Sequence, residues 1–452
     1  MTNVLFIAFE FPPLVRGGVY RSLAFTQHFA RYGINPIVIT LDKGSYAHTF
    51  DVYGVDEMLA GKIDKNVTVV PVPADKPVKQ SKLKEFSSIY FSILGNDVKY
   101  WKDNFYKAVD KAVKEHTPQA VLVTVPPFSA LELAATVAKK YDLPLIADFR
   151  DAFSQWRGTP YGSFGHYLRT LQVERKYLQA SDAIVATSRV TLNDFRRLHP
   201  GVKEDRFHYI PNGYSGELDR WKPLDPDKEQ FVIGYVGSFY YSPEAREQML
   251  QPWWKKKGHR MLQYIPMKQD WLYRSPYFFF SALQRLNEQN PALGRRISVK
   301  FAGKIPPWLV DMIESFGLKD QVTLLGEIPH HRSLEFQQEC DALLITSAKQ
   351  LGGRDYSIAG KTFEYLQIQR PVIAFVCDGA QKDLLEEAGT ALICDPDNTE
   401  QAVSRLTEFF GGKTVFTPNY SFLNTLTRAE LTHQMSDLIV NAIKQHKSQQ
   451  LL

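Results

Sequence analysis

Short apolar segments alternate with helix-like segments along most of this chain, and the apolar segments form two series. Continuous apolar strands alternating with helices are typical of a parallel sheet that is covered on both faces. The sequence therefore predicts an α/β fold with two such sheets. The strands are expected at residues 4–9, 36–40, 67–71, 120–124, 144–147 and 183–186, and then at residues 231–236, 299–302, 322–325, 342–346, 372–376 and 391–393.

The chain has 452 residues, which is long for one hydrophobic core and favours two domains. Residues 211–228 separate the two series and are rich in Gly, Pro, Asp and Lys, as linkers are. We predict an N-terminal domain at 1–214, a linker at 215–229, a C-terminal domain at 230–430 with an insertion at about 240–275, and a C-terminal helix at 431–452.

The composition limits the class of protein. The net charge of +5 permits an anionic substrate or membrane surface without requiring either. Cys340, Cys377 and Cys394 are widely spaced, which indicates buried thiols in a reducing compartment and argues against disulfides or a zinc site. No apolar run reaches the roughly 20 residues that span a bilayer, and residues 3–9 are typical of a strand, not of a signal peptide. We therefore expect a cytoplasmic protein without a nucleic-acid partner.

A glycine pair follows the first predicted strand. Gly17 and Gly18 precede a helix predicted from about Tyr20, but they do not form the spaced G-x-G-x-x-G dinucleotide motif. A plain tight turn is one interpretation. Ligands of open α/β sheets bind at the carboxyl ends of strands, which favours a turn that faces a ligand.

Charged residues follow the strand predicted at 144–147. Asp148 and Asp151 flank Arg150, and such groups are costly to bury without a purpose. We predict that they orient the hydroxyl groups of an acceptor or brace the floor of the site. An internal salt bridge is the alternative.

The second series carries a stronger signal. Gly237 and Ser238 follow its first strand, where backbone N–H groups would suit a diphosphate. A helix predicted from about Gly360 places Lys361 and Glu364 on one face. Lysine can neutralise a diphosphate, and a carboxylate can accept two ribose hydroxyls. An ordinary surface ion pair between the two side chains is the alternative.

Residues 240–275 interrupt the second series. They contain seven basic residues against three acids, together with Trp253, Trp254 and Trp271. Basic residues beside tryptophans suit an anionic membrane interface. Packing of the insertion on its own domain is the alternative. A second basic and aromatic stretch at residues 76–94 adds weight to membrane contact.

The ordered set of motifs resembles the GT-B glycosyltransferases of family 4, in particular bacterial enzymes of surface-polysaccharide pathways. The resemblance covers most of the chain and rests on motifs that occur in the family's order. These are Phe11-Pro12-Pro13 with Gly17-Gly18 and Arg21, Asp148-Phe149-Arg150-Asp151, Ile210-Pro211-Asn212-Gly213, Gly234-Tyr235-Val236-Gly237, and Gly360-Lys361-Thr362-Phe363-Glu364-Tyr365-Leu366 with Pro371-Val372-Ile373-Ala374.

The resemblance implies two Rossmann-like domains that face a central cleft, with the nucleotide sugar in the C-terminal domain and the acceptor in the N-terminal domain. It implies a C-terminal helix that crosses back to the first domain. Glu364 would correspond to the second glutamate of the family's paired-glutamate motif, the ribose ligand. Lys361 would lie near the diphosphate, and Gly17 and Gly18 would border the donor phosphates.

The chain also departs from the family. Tyr356 stands where the first glutamate is expected, with Asp355 one position away. The insertion displaces the basic residue that usually follows the second glycine turn, which leaves Arg246 and Lys304 as candidates. Residues 124–127 replace the family histidine.

We therefore expect a retaining glycosyltransferase of hexosyltransferase type that uses a nucleotide sugar, a saccharide or lipid-linked acceptor and no metal or other cofactor. Contact with the inner face of the cytoplasmic membrane is a further expectation. A sugar-nucleotide epimerase and a non-catalytic assembly component are the alternatives. The catalytic candidates are Asp148, Arg150, Asp151 and Lys361, and the donor-binding candidates are Gly17, Gly18, Gly237, Ser238, Lys361 and Glu364.

Overall fold

The computed structural model describes residues 1–77, 98–156, 158 and 160–450. Residues 78–94 of the second basic and aromatic stretch lie outside these residues. The chain divides into two compact units. The first unit comprises Met1–Ser215, Leu262–Pro266 and the chain from Arg428 onward, and the second comprises Gly216–Met261 and Met267–Thr427.

The first unit is built on a parallel sheet whose strands cross in the order β3-β2-β1-β4-β5-β6-β7. The direction of winding reverses between β1 and β4, where α/β folds of this kind bind ligands. The strands are β1 Thr2–Ile7, β2 Ile34–Leu41, β3 Thr68–Val72, β4 Ala120–Val125, β5 Leu145–Phe149, β6 Ala183–Ala186 and β7 Phe207–Tyr209.

Helices cover both faces of this sheet. The α-helices of the first unit are Val19–His28, Tyr46–Thr49, Glu57–Ala60, Lys102–His116, Ala130–Tyr141, Phe164–Ala180, Arg189–Leu198 and Arg428–Gln450. Short 3₁₀ turns lie at Phe29–Tyr32, Lys43–Ser45 and Glu204–Arg206, and Leu14–Val15 pairs with Gly54–Val55.

Strand β1 has a continuously apolar sequence because both of its faces are packed in hydrophobic cores. Leu5 and Ile7 belong to the core on one face of the sheet, with Trp101. Val4 and Phe6 belong to the core on the other face, with Met435 of the C-terminal helix Arg428–Gln450. Because successive side chains of a strand point to opposite faces, a sheet covered on both sides favours apolar residues at successive positions.

The second unit repeats the plan with a parallel sheet in the order β10-β9-β8-β11-β12-β13. Its strands are β8 Phe231–Val236, β9 Ile297–Ala302, β10 Val322–Gly326, β11 Ala342–Thr346, β12 Val372–Phe375 and β13 Ala391–Cys394. Its α-helices are Pro243–Leu250, Tyr277–Gln289, Pro291–Gly294, Pro307–Ser315, His330–Glu339, Gly360–Ile368, Ala380–Ala388, Thr399–Phe410 and Tyr420–Thr425.

The insertion is an ordered part of the structure. After the helix Pro243–Leu250 it forms 3₁₀ turns at Trp253–Lys255, Gly258–Arg260 and Trp271–Arg274. Arg246 donates to both carboxylate oxygens of Asp270, at 2.6 and 2.8 Å. Gln269–Asp270 pairs antiparallel with Lys349–Gln350, which fastens the insertion beside strand β11.

The predicted α/β class with two parallel sheets is confirmed. The segments predicted as strands lie on strands β1 to β6 and β8 to β13, with ends shifted by a few residues. Strand β7 was not predicted because it has only three residues, with His208 in the middle. In the part of the chain that the structure describes, no helix combines the length and the apolar character needed to cross a membrane.

Candidate functional site

The turn after strand β8 brings backbone close to a lysine side chain. Gly237 has a φ of +94°, and its N–H donates to the carbonyl of Ala302 at 2.7 Å. A Cβ at this position would lie 3.3 Å from the Nζ of Lys361. Glycine is required for the backbone angle, and its small size leaves room for the amine beside the turn.

The helix Gly360–Ile368 begins at an open N-terminus. Its N-cap is Ala359, which cannot cap with a side chain, and no acid occurs in the first turn. A Cβ at Gly360 would meet nothing within 4 Å. The positive end of the helix dipole is therefore not neutralised by the protein at this point, as an anion site requires.

Lys361 is the most unusual residue of the second unit. Its Nζ lies 3.7 Å from the centroid of the Tyr235 ring, and it forms no hydrogen bond or ion pair with any residue that the structure describes. Burial lowers the pKa of Lys361 to about 7, although the nearby Glu364 acts in the opposite direction. The next turn is fixed because the Val236 N–H donates to the Tyr365 hydroxyl at 3.3 Å.

Glu364 lies on the same helix and is half-buried. Its Oε2 accepts a hydrogen bond from Gln337 Nε2 at 3.3 Å. Glu364 and Lys361 are not joined by an ion pair, so the alternative of an ordinary surface pair does not describe these residues. Ser238 lies in the turn itself, where its carbonyl accepts from the Tyr235 hydroxyl at 3.1 Å.

Arg274 is a further basic residue of the second unit, and the sequence alone does not place it near the Lys361 helix. Its Nη2 donates to Ser357 Oγ at 3.1 Å, just before the helix Gly360–Ile368. Its positive charge also acts to lower the pKa of Tyr235, although burial raises that pKa well above its usual value. Arg274 thus acts on Tyr235, whose ring contacts the Lys361 amine. Its only sequence signal is its place in a basic insertion that returns to the strand ends.

The two basic residues suggested from the sequence have different surroundings. Arg246 is bound to Asp270 through both carboxylate oxygens, so its charge is already neutralised. Lys304 is exposed, and no described residue forms an ion pair with it. It follows Gly303, where an added Cβ would lie 2.2 Å from the carbonyl oxygen of Gly237, so Lys304 stays a candidate cation beside the Gly237 turn.

Asp355 does not replace the missing glutamate. It is buried, and its Oδ1 accepts from the Ser357 N–H and from Gln350 Nε2, both at 3.3 Å. Its backbone also pairs with the loop that follows β12, through Asp378 and Ala380. Through these bonds Asp355 stabilises the loop before the helix Gly360–Ile368. Tyr356 beside it is buried as well.

In the first unit, Asp148 lies near the carboxyl end of its strand, one residue before the strand ends. It lies within β5 and is fully buried. Arg21 donates to both of its oxygens, with shortest distances of 2.8 and 2.9 Å, and the Thr124 hydroxyl donates to Oδ2 at 2.9 Å. Arg21 also donates to the carbonyls of Ile210 and Pro211. This geometry favours the internal salt bridge that the sequence left open and leaves Asp148 no free oxygen for an acceptor.

Arg150 lies against the glycine pair. A Cβ on Gly18 would lie only 0.7 Å from Arg150 Nη1, so only glycine allows this contact. The guanidinium faces Glu10, which also pairs with Arg16 at 2.7 Å, and it donates to the Pro126 carbonyl. Arg150 and Gly18 are therefore brought together at the carboxyl ends of β1 and β4.

The remaining candidates of the first unit stay predictions. Gly17 is exposed, and a Cβ there would meet nothing within 4 Å. Asp151 is half-buried in the loop after β5. Among the described residues, no group of three or more His, Cys, Asp or Glu side chains is placed to hold a metal ion.

Two family models match the chain. Residues 15–217 match the model described as Glycosyltransferase Family 4. Residues 276–413 match the model described as Glycosyl transferases group 1. The first match begins after β1, and the second begins after β8 and the insertion at 240–275, which neither match includes.

The chain is similar to alpha-maltose-1-phosphate synthase of Mycolicibacterium smegmatis, with 29% identity over 99 residues, 22% of this chain and 24% of the relative. The chain thus matches about a quarter of the length of this curated relative.

Among solved structures, Anabaena Alr3699/HepE in complex with UDP has a TM-score of 0.54 and 14% identity over 100% of both chains. The lipopolysaccharide outer core galactosyltransferase WaaB in its apo form has a TM-score of 0.57 and 12% identity, over 97% of this chain and 99% of that chain. At these identities the similarity shows a shared fold.

We expect Asp148→Asn to destabilise the protein, because it leaves the buried Arg21 guanidinium without a countercharge. Breaking such a pair costs about 3–5 kcal/mol of the free energy of unfolding. Asp110→Asn is the matched control, since Asp110 pairs with Lys140 at the surface and its loss should cost less than about 1 kcal/mol. Urea unfolding measures both. Equal small effects would contradict the structural role of Asp148.

We expect Lys361→Met to stabilise the protein in a pH-dependent way. The pKa of Lys361 is about 7 in the folded state and 10.5 without the fold, so the unfolded state binds more protons between these values. Burial of the charged Lys361 amine therefore lowers the free energy of unfolding by its full amount below pH 7. Above pH 7 this destabilisation declines by up to about 1.4 kcal/mol per pH unit.

Thermal unfolding from roughly pH 6 to pH 10 should show that Lys361→Met unfolds at a higher temperature than the parent. The difference should be largest at the acidic end and should shrink as the pH rises. The exposed Lys413 provides the control variant Lys413→Met, for which we expect little change at any pH. A gain that does not vary with pH would mean that Lys361 is not desolvated.

Proposed function

This chain is a GT-B protein with a glycosyltransferase family 4 domain and a group 1 domain, and from that premise we propose that it transfers a sugar from a nucleoside diphosphate sugar to an acceptor. One observation carries the proposal. Lys361 is a half-buried amine with no hydrogen bond or ion pair to any described residue, and it lies beside the Gly237 turn on a helix with an open N-terminus. A diphosphate is the ligand that such a site suits.

The electrostatics of the second unit support a diphosphate. A desolvated amine is costly in the free protein, and an anion placed next to it would raise its pKa and restore its charge. The N-terminal N–H groups of the helix Gly360–Ile368 and the guanidinium of Arg274 add positive potential at the same place. Gly237 and Ser238 would bring backbone close to the phosphates.

The same groups would assist the reaction. When the bond between the sugar and the diphosphate breaks, negative charge grows on the leaving group, while the sugar acquires oxocarbenium character. Lys361 and Arg274 would stabilise the leaving charge, which is where preorganised positive groups lower a barrier most. Glu364 would accept the ribose hydroxyls and fix the position of the nucleotide.

The finer features of the proposal rest on the family resemblance. They are a retaining hexosyl transfer without a bound metal, a saccharide or lipid-linked acceptor, and a role in polysaccharide synthesis in the cytoplasm. On the acceptor side we retain Arg150 and Asp151 as candidates and assign Asp148 to supporting them through strand β5. The UDP in the HepE structure supports a uridine nucleotide as the first donor class to test.

The direct test is a screen of UDP-sugars and GDP-sugars with product analysis by mass spectrometry. Transfer to an added saccharide, or slow hydrolysis to free sugar and nucleoside diphosphate, would support the proposal. Conversion of one nucleotide sugar into its epimer would identify an epimerase. A protein that binds no nucleotide by calorimetry would fit the non-catalytic alternative.

We expect Glu364→Ala to weaken nucleotide binding by about 1–3 kcal/mol, since it removes charge-assisted hydrogen bonds to the ribose. Arg274→Gln should weaken binding to a similar degree by removing positive charge near the diphosphate. The exposed residues Glu408 and Arg260 give the matched controls Glu408→Ala and Arg260→Gln. Calorimetry with UDP and GDP measures all four. Parental affinity in both site variants would refute the assignment.

A further inference from the structure

We propose that the insertion docks the protein on an anionic lipid bilayer through a docking surface formed by Trp253, Trp254, Lys255, Lys257 and Arg260. All five side chains are exposed, with Trp253 at 60% and Trp254 at 64%. This surface lies within the second unit. The proposal goes beyond sugar transfer and does not depend on it.

The two tryptophans form the apolar part of the docking surface. Their rings contact each other edge to face, with centroids 5.9 Å apart and an interplanar angle of 88°. Met261 follows them in the chain and is 42% exposed. Tryptophan is enriched at the headgroup level of membranes, where its ring meets an apolar layer while its N–H meets water. Two exposed tryptophans side by side are therefore suited to a bilayer interface.

The charged residues that follow the tryptophans in the sequence up to Lys268 are all positive. No Asp or Glu occurs between Glu247 and Asp270. Lys255, Lys257 and Arg260 form no ion pair with any residue that the structure describes, and Arg260 instead donates to the amide oxygen of Gln248 at 3.2 Å. The docking surface therefore presents unneutralised charge, which anionic lipid headgroups would attract.

The basic side chains of the insertion also lie close enough to repel one another. Burial lowers the pKa of Lys256, and the positive charges of Lys268 and Arg260 lower it further. Like charges held together raise the energy of the free protein, and an anionic surface would relieve that repulsion. The same argument shows why the attraction should weaken as salt is added.

The docking surface is held on an ordered base. The Arg246–Asp270 pair connects the helix Pro243–Leu250 to the returning chain. Gln269–Asp270 pairs with Lys349–Gln350 next to the sheet. Because the insertion is fastened at both ends, the backbone that carries the docking surface is held on the second unit.

A bilayer fits these observations better than a soluble polyanion. A polyanion without aromatic groups would neutralise Lys255, Lys257 and Arg260, but it would leave the Trp253 and Trp254 rings without an apolar environment. A lipid interface satisfies both parts of the surface at once. A polyanion therefore becomes an outcome of the experiment.

The experiment is flotation of the full chain with two kinds of vesicles. One kind is phosphatidylcholine alone, and the other contains roughly one third phosphatidylglycerol. We expect the protein to float only with the anionic vesicles at ~50 mM salt and to remain in the soluble fraction at ~500 mM salt. Absence of flotation with anionic vesicles at low salt would overturn the proposal.

Substitutions test whether vesicle binding occurs through the docking surface. The triple variant Lys255→Gln, Lys257→Gln, Arg260→Gln should weaken vesicle binding ~100-fold, at roughly fivefold for each charge near an anionic membrane. The matched control is Lys203→Gln, Lys413→Gln, Lys444→Gln, which removes the same charge at exposed positions elsewhere. We expect the control to float like the parent. Equal losses in both triples would mean a net-charge effect and would overturn the proposal.

A second pair of substitutions tests the tryptophans. Trp253→Ser with Trp254→Ser should reduce flotation and remove the blue shift of fluorescence that anionic vesicles induce in the parent. Circular dichroism checks that the variant is folded. If the serine variant floats as the parent does, or if single-stranded RNA binds the parent at a salt concentration where vesicles do not, the surface binds polyanions and the lipid proposal fails.

Discussion

The second unit contains one energetically costly arrangement, a half-buried lysine amine that has no carboxylate or carbonyl partner among the residues that the structure describes. Lys361 is kept in place by the Tyr235 ring below it, by the Gly237 turn beside it and by the helix that carries it. Burial makes its charge expensive and lowers its pKa. Perturbed titrating groups that gather at a strand end are a recognised feature of functional sites, because their cost is recovered when a ligand binds.

The first unit also contains a buried charged group, but this group is paired with protein side chains. Asp148 is fully buried, yet its oxygens are occupied by Arg21 and Thr124. The Arg21 guanidinium also holds the carbonyls of Ile210 and Pro211, so one side chain connects the first helix, strand β5 and the chain after β7. A paired carboxylate of this kind supports the fold, whereas an amine such as Lys361, which no described residue pairs, is available to a ligand.

The fold was predictable because its main signal is local. Strands covered on both faces are mostly apolar, and the segments around Val4 and Ile233 show this directly in the sequence. The Lys361 helix was predictable for the same reason, since a short motif specifies both its start and its spacing. The role of Asp148 was not, because its partner Arg21 lies 127 positions away, and a sequence read along the chain does not pair them. Arg274 was missed because the insertion carries it back to the strand ends by a path that no local pattern describes.

The central claim is that Lys361 binds the diphosphate of a nucleotide. It is tested most directly by proton uptake on binding of UDP or GDP, measured by calorimetry in two buffers of different ionisation enthalpy. Near pH 8 the free amine is mostly neutral because its pKa is about 7, so binding of a diphosphate should take up close to one proton. Lys361→Met should remove that uptake and weaken binding. Tight nucleotide binding with no difference between the two buffers, or the same uptake in Lys361→Met, would contradict the account.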